Sequence, residues 1–145
     1  MRPQLDEESL RGVHKFITDG MNRELSQEFT TEEVILALRH MAPLKAPRPD
    51  GMPTLFYHSF WHIIGSHVTN VVLSCLNSCK IPESINHTFI TLIPKVLSPK
   101  RMSDFRPISL CNVIYKIMSK VIANRLKPIL SKIISETQSA FVPVD

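Results

Sequence analysis

Residues 88–110 read TFITLIPKVLSPKRMSDFRPISL, and this stretch decides the fold. The run 88–93 is rich in β-branched and aromatic residues and is closed by Pro94, which predicts a short strand. A second short strand is predicted over 105–110, so that residues 95–104 form the loop of an antiparallel pair. The pattern therefore predicts a β-hairpin.

Two basic residues lie at the loop end of this predicted hairpin. Lys95 follows the first strand and Arg106 opens the second, so antiparallel pairing brings the two cations near each other. Neighbouring cations repel unless an anion lies between them, and a triphosphate or a nucleic-acid backbone would satisfy both. From the residues alone two alternatives stay open: a phosphate-binding pair, or two unrelated surface charges.

Upstream of the hairpin the pattern is helical. Thr30 and Glu33 have capping-box spacing, which predicts a helix from Thr30 that ends at residue 41 or 42, before a proline-rich segment. Gly51 closes a Pro-Asp-Gly turn and is free to adopt a positive φ. Apolar residues then predict a helix from 53 to about 77, with a break expected near Gly65.

Downstream of the hairpin, paired apolar residues predict a long helical region to about residue 134, which Pro128 either bends or divides. Arg125 falls within the apolar arc of this region, so we expect it to be paired with a carboxylate or with carbonyl groups. A basic stripe lies within an arc of about 40° on the opposite side. Its members, which either contact nucleic acid or form a solvated face, are Lys116, Lys120 and Lys127.

The composition of the chain limits the kinds of partner and the compartment that can be expected for it. Residues 1–79 carry 7 Lys and Arg against 9 Asp and Glu, whereas residues 80–145 carry 10 against 4, so the second half is basic and suited to an anionic partner. No apolar run reaches the roughly 18 residues typical of a membrane span, so no membrane association is expected. The three cysteines are expected to be buried apolar residues in a reducing compartment, with nucleus or cytoplasm both possible.

Several motifs occur in the order found in one known family. They read FTTEEVILALRHMAPLKAPRPDGMPTLFYHSFW (29–61), TFITLIPKV (88–96), DFRPISLCNVIYKIMSKVIANRLKPIL (104–130) and QSAFVP (138–143). Together they resemble the N-terminal half of the reverse transcriptase domain of non-LTR (LINE-type) retrotransposons, particularly those abundant in plant genomes. The resemblance covers about residues 29–143.

This resemblance implies an α+β fold, mainly helical with a small antiparallel hairpin, that forms the fingers and the start of the palm. Residues 29–145 would then be a truncated reverse transcriptase domain, and residues 1–28 a linker or the remnant of a preceding domain. In the family the lysine after LIP and the arginine of FRP face the triphosphate of the incoming nucleotide, and Lys95 and Arg106 match them. Gln138 and Phe141 match an element near the template and nucleotide pocket.

The intact family enzyme is an RNA-directed DNA polymerase that uses Mg²⁺, a template-primer of RNA or DNA and deoxynucleoside triphosphates. Its catalytic aspartates follow the last motif quoted above, so no catalytic or metal-binding residue is assigned here and the chain is expected to be inactive alone. Arg48 replaces a usual glycine, and the chain departs from the usual FVPGR after Pro143, which suggests a decayed or artificially ended copy.

Two alternatives to this interpretation stay open. One is a non-catalytic nucleic-acid-binding module, and the other is a pseudogene-derived helical protein without function. The last would expose apolar residues that lack their partners, among them Val121 and Ile122. His58 and His62 have the spacing of paired metal ligands, but the sequence provides no third ligand beside them, so no metal site is predicted.

Overall fold

A computed structural model of the protein describes residues 17–43 and 51–134. Within these residues a two-stranded antiparallel sheet is flanked in sequence by helices, which confirms the predicted α+β class with a small hairpin. In chain order the elements are α1 (Asp19–Leu25), α2 (Thr31–Arg39), α3 (Thr54–Ser59), α4 (Trp61–Ser78), α5 (Glu83–Asn86), β1 (Thr88–Pro94), a 3₁₀ helix (Met102–Asp104), β2 (Phe105–Cys111) and α6 (Val113–Ile133).

Contacts divide the described residues into two compact units. Residues 28–124 form the larger unit, and residues 17–27 belong with residues 125–134 in the other. The hairpin and helices α2 to α5 lie wholly in the larger unit. None of the helices in the described part of the chain combines the length and the hydropathy needed to cross a lipid bilayer.

Helix α2 begins at the predicted capping box. The amide of Thr30 donates to the carboxylate of Glu33 at 2.9 Å, and the amide of Glu33 donates to the hydroxyl of Thr30 at 3.5 Å. The helix ends at Arg39, two residues before the predicted end. The early end arises because the amide of Met41 bonds the carbonyl of Leu38, which tightens the last turn before the prolines are reached.

The break between α3 and α4 lies at Phe60, so the prediction of a break near Gly65 is wrong. Phe60 has φ −106° and ψ 15°, outside the helical range, whereas Gly65 is buried in the middle of α4. A Cβ atom at Gly65 would lie 2.8 Å from Cε2 of Trp61. Glycine is therefore required here for the close approach of the indole, not for a change of chain direction.

The core of the larger unit is formed by one face each of α2, α3, α4 and the start of α6. Burial of each large apolar side chain stabilises such a core by about 1.5–3 kcal/mol. The buried members are Val34, Ala37, Leu38, Tyr57, Val68, Val72, Cys75, Val113, Ile117, Met118 and Val121.

Two predictions about exposure are corrected by this core. The alternative of a pseudogene-derived helical protein expected Val121 to be exposed, but only 1% of it is exposed because its face of α6 belongs to the core cluster. Ile122 is 42% exposed, as expected. Cys75 is buried and Cys111 is half-buried, but Cys79 is exposed because it ends α4 in the left-handed conformation, with φ 56°.

Helix α6 is continuous through Pro128, so the alternative in which proline divides it is wrong. Proline removes a single backbone donor, and the remaining hydrogen bonds maintain the helix on both sides. Arg125 is paired, as predicted, because its Nη1 donates to the carbonyl oxygens of Leu25, at 3.3 Å, and Gln27. These three residues lie in the same unit.

Candidate functional site

The site predicted from sequence lies at the loop end of the hairpin. Strands β1 and β2 pair in antiparallel register, with Ile93 opposite Arg106 and Pro94 opposite Phe105. In a two-stranded sheet both strands are edge strands. A proline, which lacks a backbone N–H, is tolerated on an edge strand where no hydrogen bond to a further strand is needed. The two predicted strands and their antiparallel pairing are thereby confirmed.

Lys95 and Arg106 lie two rungs apart on this hairpin. The amide of Lys95 donates to the carbonyl oxygen of Asp104 at 2.7 Å, so pairing continues one residue beyond Pro94. Residues directly opposite share a face and faces alternate along a strand, which places Lys95 and Arg106 on the same face. Diagonal neighbours of this kind are about 7–8 Å apart, within reach of two long side chains. The hairpin thus brings together the two cations that the sequence singled out.

Both cations are open to solvent, and they differ in how they are held. The ammonium of Lys95 donates to the carbonyl oxygen of Ser103 at 2.8 Å, which fixes the side chain against the loop. Within the described part of the chain, the guanidinium of Arg106 makes no hydrogen bond or ion pair. Its fork of donors therefore remains available to an anion.

The loop between the strands is organised by Asp104, whose role sequence analysis missed. One carboxylate oxygen, Oδ2, accepts from the amides of both Lys100 and Arg101, each at 2.9 Å. These backbone donors hold the pKa of Asp104 below its ordinary value of 3.8. The sequence did contain a signal for this role. Asp104 follows Lys100 and Arg101 by four and three residues in a loop, and a short acidic side chain at this spacing commonly accepts hydrogen bonds from backbone amides.

The net result is a hairpin tip that is rich in basic groups. Residues 95–106 contain two lysines and two arginines against one aspartate, and that carboxylate is occupied by backbone amides. Every residue of β1 is exposed as well. A tip of this composition can bind an anion.

The three lysines of the predicted basic stripe all lie on α6. Lys127 is exposed, whereas Lys116 and Lys120 are half-buried, so they do not form one uniformly solvated row. Their contact with nucleic acid remains a prediction. Gln138 and Phe141, like Arg48, lie outside the described residues.

A concave surface that the sequence did not predict lies near the base of the hairpin. It encloses a cavity of about 480 Å³. Asn112 organises one wall, because its amide nitrogen donates to the carbonyl of Ile85 at 2.8 Å and its oxygen accepts from the amide of Tyr115 at 2.8 Å. The cavity is lined by Tyr57, Ser84, Ile85, His87, Phe89, Leu110, Asn112 and Ile114.

Residues 17–43 and 51–134 provide no cluster of three or more His, Cys, Asp or Glu side chains that could hold a metal ion. His58 bonds through Nε2 to the carbonyl oxygen of Met41 at 3.2 Å, which gives it a structural partner. His62, one turn further along, is exposed.

Comparison with known proteins links this hairpin to a family. Residues 94–145, which begin at the end of β1, match the family described as reverse transcriptase (RNA-dependent DNA polymerase). The chain is 31% identical over 127 residues to the transposon TX1 uncharacterized 149 kDa protein of Xenopus laevis, an alignment that covers 88% of this chain and 10% of that protein.

A second relative is the retrovirus-related Pol polyprotein from type-2 retrotransposable element R2DM of Drosophila melanogaster. It is 30% identical over 115 residues, which are 79% of this chain and 10% of that polyprotein. The chain thus spans about a tenth of the length of the curated relatives it matches. The match to the reverse transcriptase family and these two transposon relatives together identify the chain as part of a non-LTR retrotransposon reverse transcriptase.

Proposed function

We propose that residues 29–145 form the fingers and the start of the palm of an RNA-directed DNA polymerase, and that Lys95 and Arg106 bind the triphosphate of the incoming nucleotide. One observation carries this proposal: the two cations lie two rungs apart on one face of the hairpin, and both are exposed. A triphosphate between them would relieve their mutual repulsion.

The two side chains would bind and orient the substrate without taking part in bond formation. The guanidinium of Arg106 can hold two phosphate oxygens at once, and its positive charge is fixed. The ammonium of Lys95 is a compact charge already anchored to Ser103. Binding phosphate would require it to share its donors between that carbonyl and the anion, and three donors suffice for both.

The intact enzyme is proposed to use Mg²⁺ and a template-primer of RNA or DNA. Magnesium prefers carboxylate oxygens, and the described residues offer no cluster of them, so the hairpin by itself does not fit the metal. The template-primer would contact the basic second half of the chain, with Lys116, Lys120 and Lys127 as candidates. Gln138 and Phe141 are proposed to lie near the template and nucleotide pocket.

The excess of basic residues after residue 79 also supports a second candidate function, a nucleic-acid-binding module without catalysis. Contacts to a phosphate backbone would make its affinity for RNA fall steeply as salt is raised. RNA binding that is absent, or unchanged between 50 and 200 mM salt, would exclude this second function, whereas nucleotide binding is tested separately.

The nucleotide proposal is tested with inorganic tripolyphosphate, because this probe has the three linked phosphates of a nucleoside triphosphate without the sugar and the base. Binding to the 145-residue chain is measured by NMR titration at low salt, for the parent, Lys95→Ala and Arg106→Ala. Each hairpin substitution should weaken binding about tenfold or more, as expected for loss of a charge-assisted hydrogen bond.

Lys80→Ala is the matched control, since Lys80 is an exposed lysine outside the hairpin and its loss changes the net charge equally. The proposal predicts that this control stays within about twofold of the parent. If all three variants bind the probe equally, the attraction is general to the basic chain and the proposed triphosphate site is wrong.

A further inference from the structure

The groups that hold Lys95 in place are themselves held by one side chain. Lys95 is anchored at two points, through its amide to the carbonyl of Asp104 and through its ammonium to the carbonyl of Ser103. Both carbonyls belong to the 3₁₀ turn that precedes β2. The position of the lysine therefore depends on the conformation of that turn.

The turn is closed by the carboxylate of Asp104. Its Oδ2 accepts from the amides of Lys100 and Arg101, and the amide of Asp104 donates back to the carbonyl of Arg101 at 3.0 Å. The turn is solvent-exposed, so water competes for these amides and little apolar packing is available to fix it. Side-chain hydrogen bonds are then the main restraint on its shape.

We infer that Asp104 is a positioning residue for the triphosphate pair: its carboxylate orders the turn and so holds Lys95 at the distance from Arg106 at which one anion reaches both. This inference rests on the function proposed above. This role explains why the hairpin has an acidic residue next to its cations. By charge alone, an aspartate at this position would weaken the binding of an anion.

Positioning and simple electrostatics predict opposite outcomes for Asp104→Ala. Removal of a negative charge beside two cations strengthens the binding of an anion if charge alone matters. If the carboxylate orders the turn, the same substitution weakens binding, because the loop must then be ordered when the ligand binds. We expect tripolyphosphate to bind Asp104→Ala about three- to tenfold more weakly than the parent.

Asp104→Asn is the matched variant. Both amides bond to the same carboxylate oxygen, and the side-chain carbonyl of asparagine offers one such oxygen without the charge. Its affinity for tripolyphosphate should therefore stay within about twofold of the parent or rise slightly. Hydrogen exchange of the Lys100 and Arg101 amides gives a second readout, with protection lost in Asp104→Ala and retained in Asp104→Asn.

The outcomes separate this inference from the proposed function. If Asp104→Ala binds as tightly as the parent or more tightly while Lys95→Ala binds weakly, the inference is wrong and the triphosphate site stands. Equal weakening by Asp104→Ala and Asp104→Asn also overturns it, since the acceptor would then be irrelevant. If Lys95→Ala and Arg106→Ala both bind as well as the parent, the triphosphate site fails and the inference fails with it, whatever the exchange data show.

Discussion

The indole of Trp61 lies against the backbone of Gly65, so closely that three of its ring atoms would be within 3.0 Å of a Cβ placed there. Trp61 opens α4 and packs against the core, while Gly65 is one turn further along the same helix. The pair explains why a glycine is kept in the interior of an 18-residue helix, where it weakens helix formation by about 1 kcal/mol relative to alanine.

The first prediction follows from this contact. Gly65→Ala should destabilise the chain by about 1 kcal/mol, because forcing the indole out of its packed position costs about 1–3 kcal/mol and the gain in helix propensity only partly offsets it. Urea unfolding measures the change. In a Trp61→Ala background the same substitution should instead stabilise by about 1 kcal/mol, and a destabilisation in both backgrounds would contradict the steric explanation.

The second prediction concerns the end of α4. Cys79 has φ 56° and ψ 26°, a left-handed conformation in which a side chain costs about 1–2 kcal/mol and which glycine adopts freely. Cys79→Gly should therefore raise the free energy of unfolding by about 1 kcal/mol. Cys79→Ala is the control, since it removes the thiol and keeps the Cβ. Equal stability of the two variants would show that the backbone conformation is not the cause.

The third prediction concerns Arg125, which donates from Nη1 to the carbonyl oxygens of Leu25 and Gln27. Arg125→Ala should destabilise α1 by about 1–3 kcal/mol, the usual range for hydrogen bonds to a charged donor. Hydrogen exchange of the α1 amides reports this loss directly. Arg125→Lys should recover only part of the protection, because the ammonium of a lysine does not occupy the position of Nη1, from which both carbonyls are reached. Unchanged exchange in Arg125→Ala would contradict the prediction.

The fourth prediction is a pH dependence at the hairpin tip. The amides of Lys100 and Arg101 hold the pKa of Asp104 below its ordinary value, so the carboxylate stabilises the folded turn when it is ionised. A group whose pKa is lowered on folding contributes its full stabilisation above the ordinary aspartate pKa and loses it as the pH falls through the folded value. The two bonds to Asp104 should thus be stronger at neutral pH, and the strength that the negative charge adds should be lost in acid.

NMR titration of the Asp104 carboxyl carbon measures this pKa, and the amide signals of Lys100 and Arg101 should titrate with it. In Asp104→Asn those two amide signals should not change over the same acid range. A titration midpoint at or above 3.8 would contradict the prediction.

Elements that local chemistry specifies were predictable from the residues alone. A capping box needs only Thr30 and Glu33 at the right spacing, and a strand needs only a short β-branched run closed by proline, so α2 and both strands were predicted to within two residues. The proximity of Lys95 and Arg106 was also accessible, because antiparallel pairing brings the end of one strand beside the start of the next. The family was indicated by several motifs in a fixed order, and no one of these motifs would have been specific enough alone.

Other features depend on what each residue packs against, and these could be seen only in the folded chain. Gly65 was expected to break a helix, and it lies inside one because an indole occupies the space beside it. Val121 and its neighbour Ile122 have the same character in sequence, and the first is buried while the second is exposed because the core meets one face of α6. Asp104 is fixed in the hairpin by hydrogen bonds from two backbone amides. Nearly every residue has a backbone amide, so the sequence does not show which amides a carboxylate will bind. Periodicity records which residues are apolar, whereas burial and hydrogen bonding depend on which surfaces meet once the chain has folded.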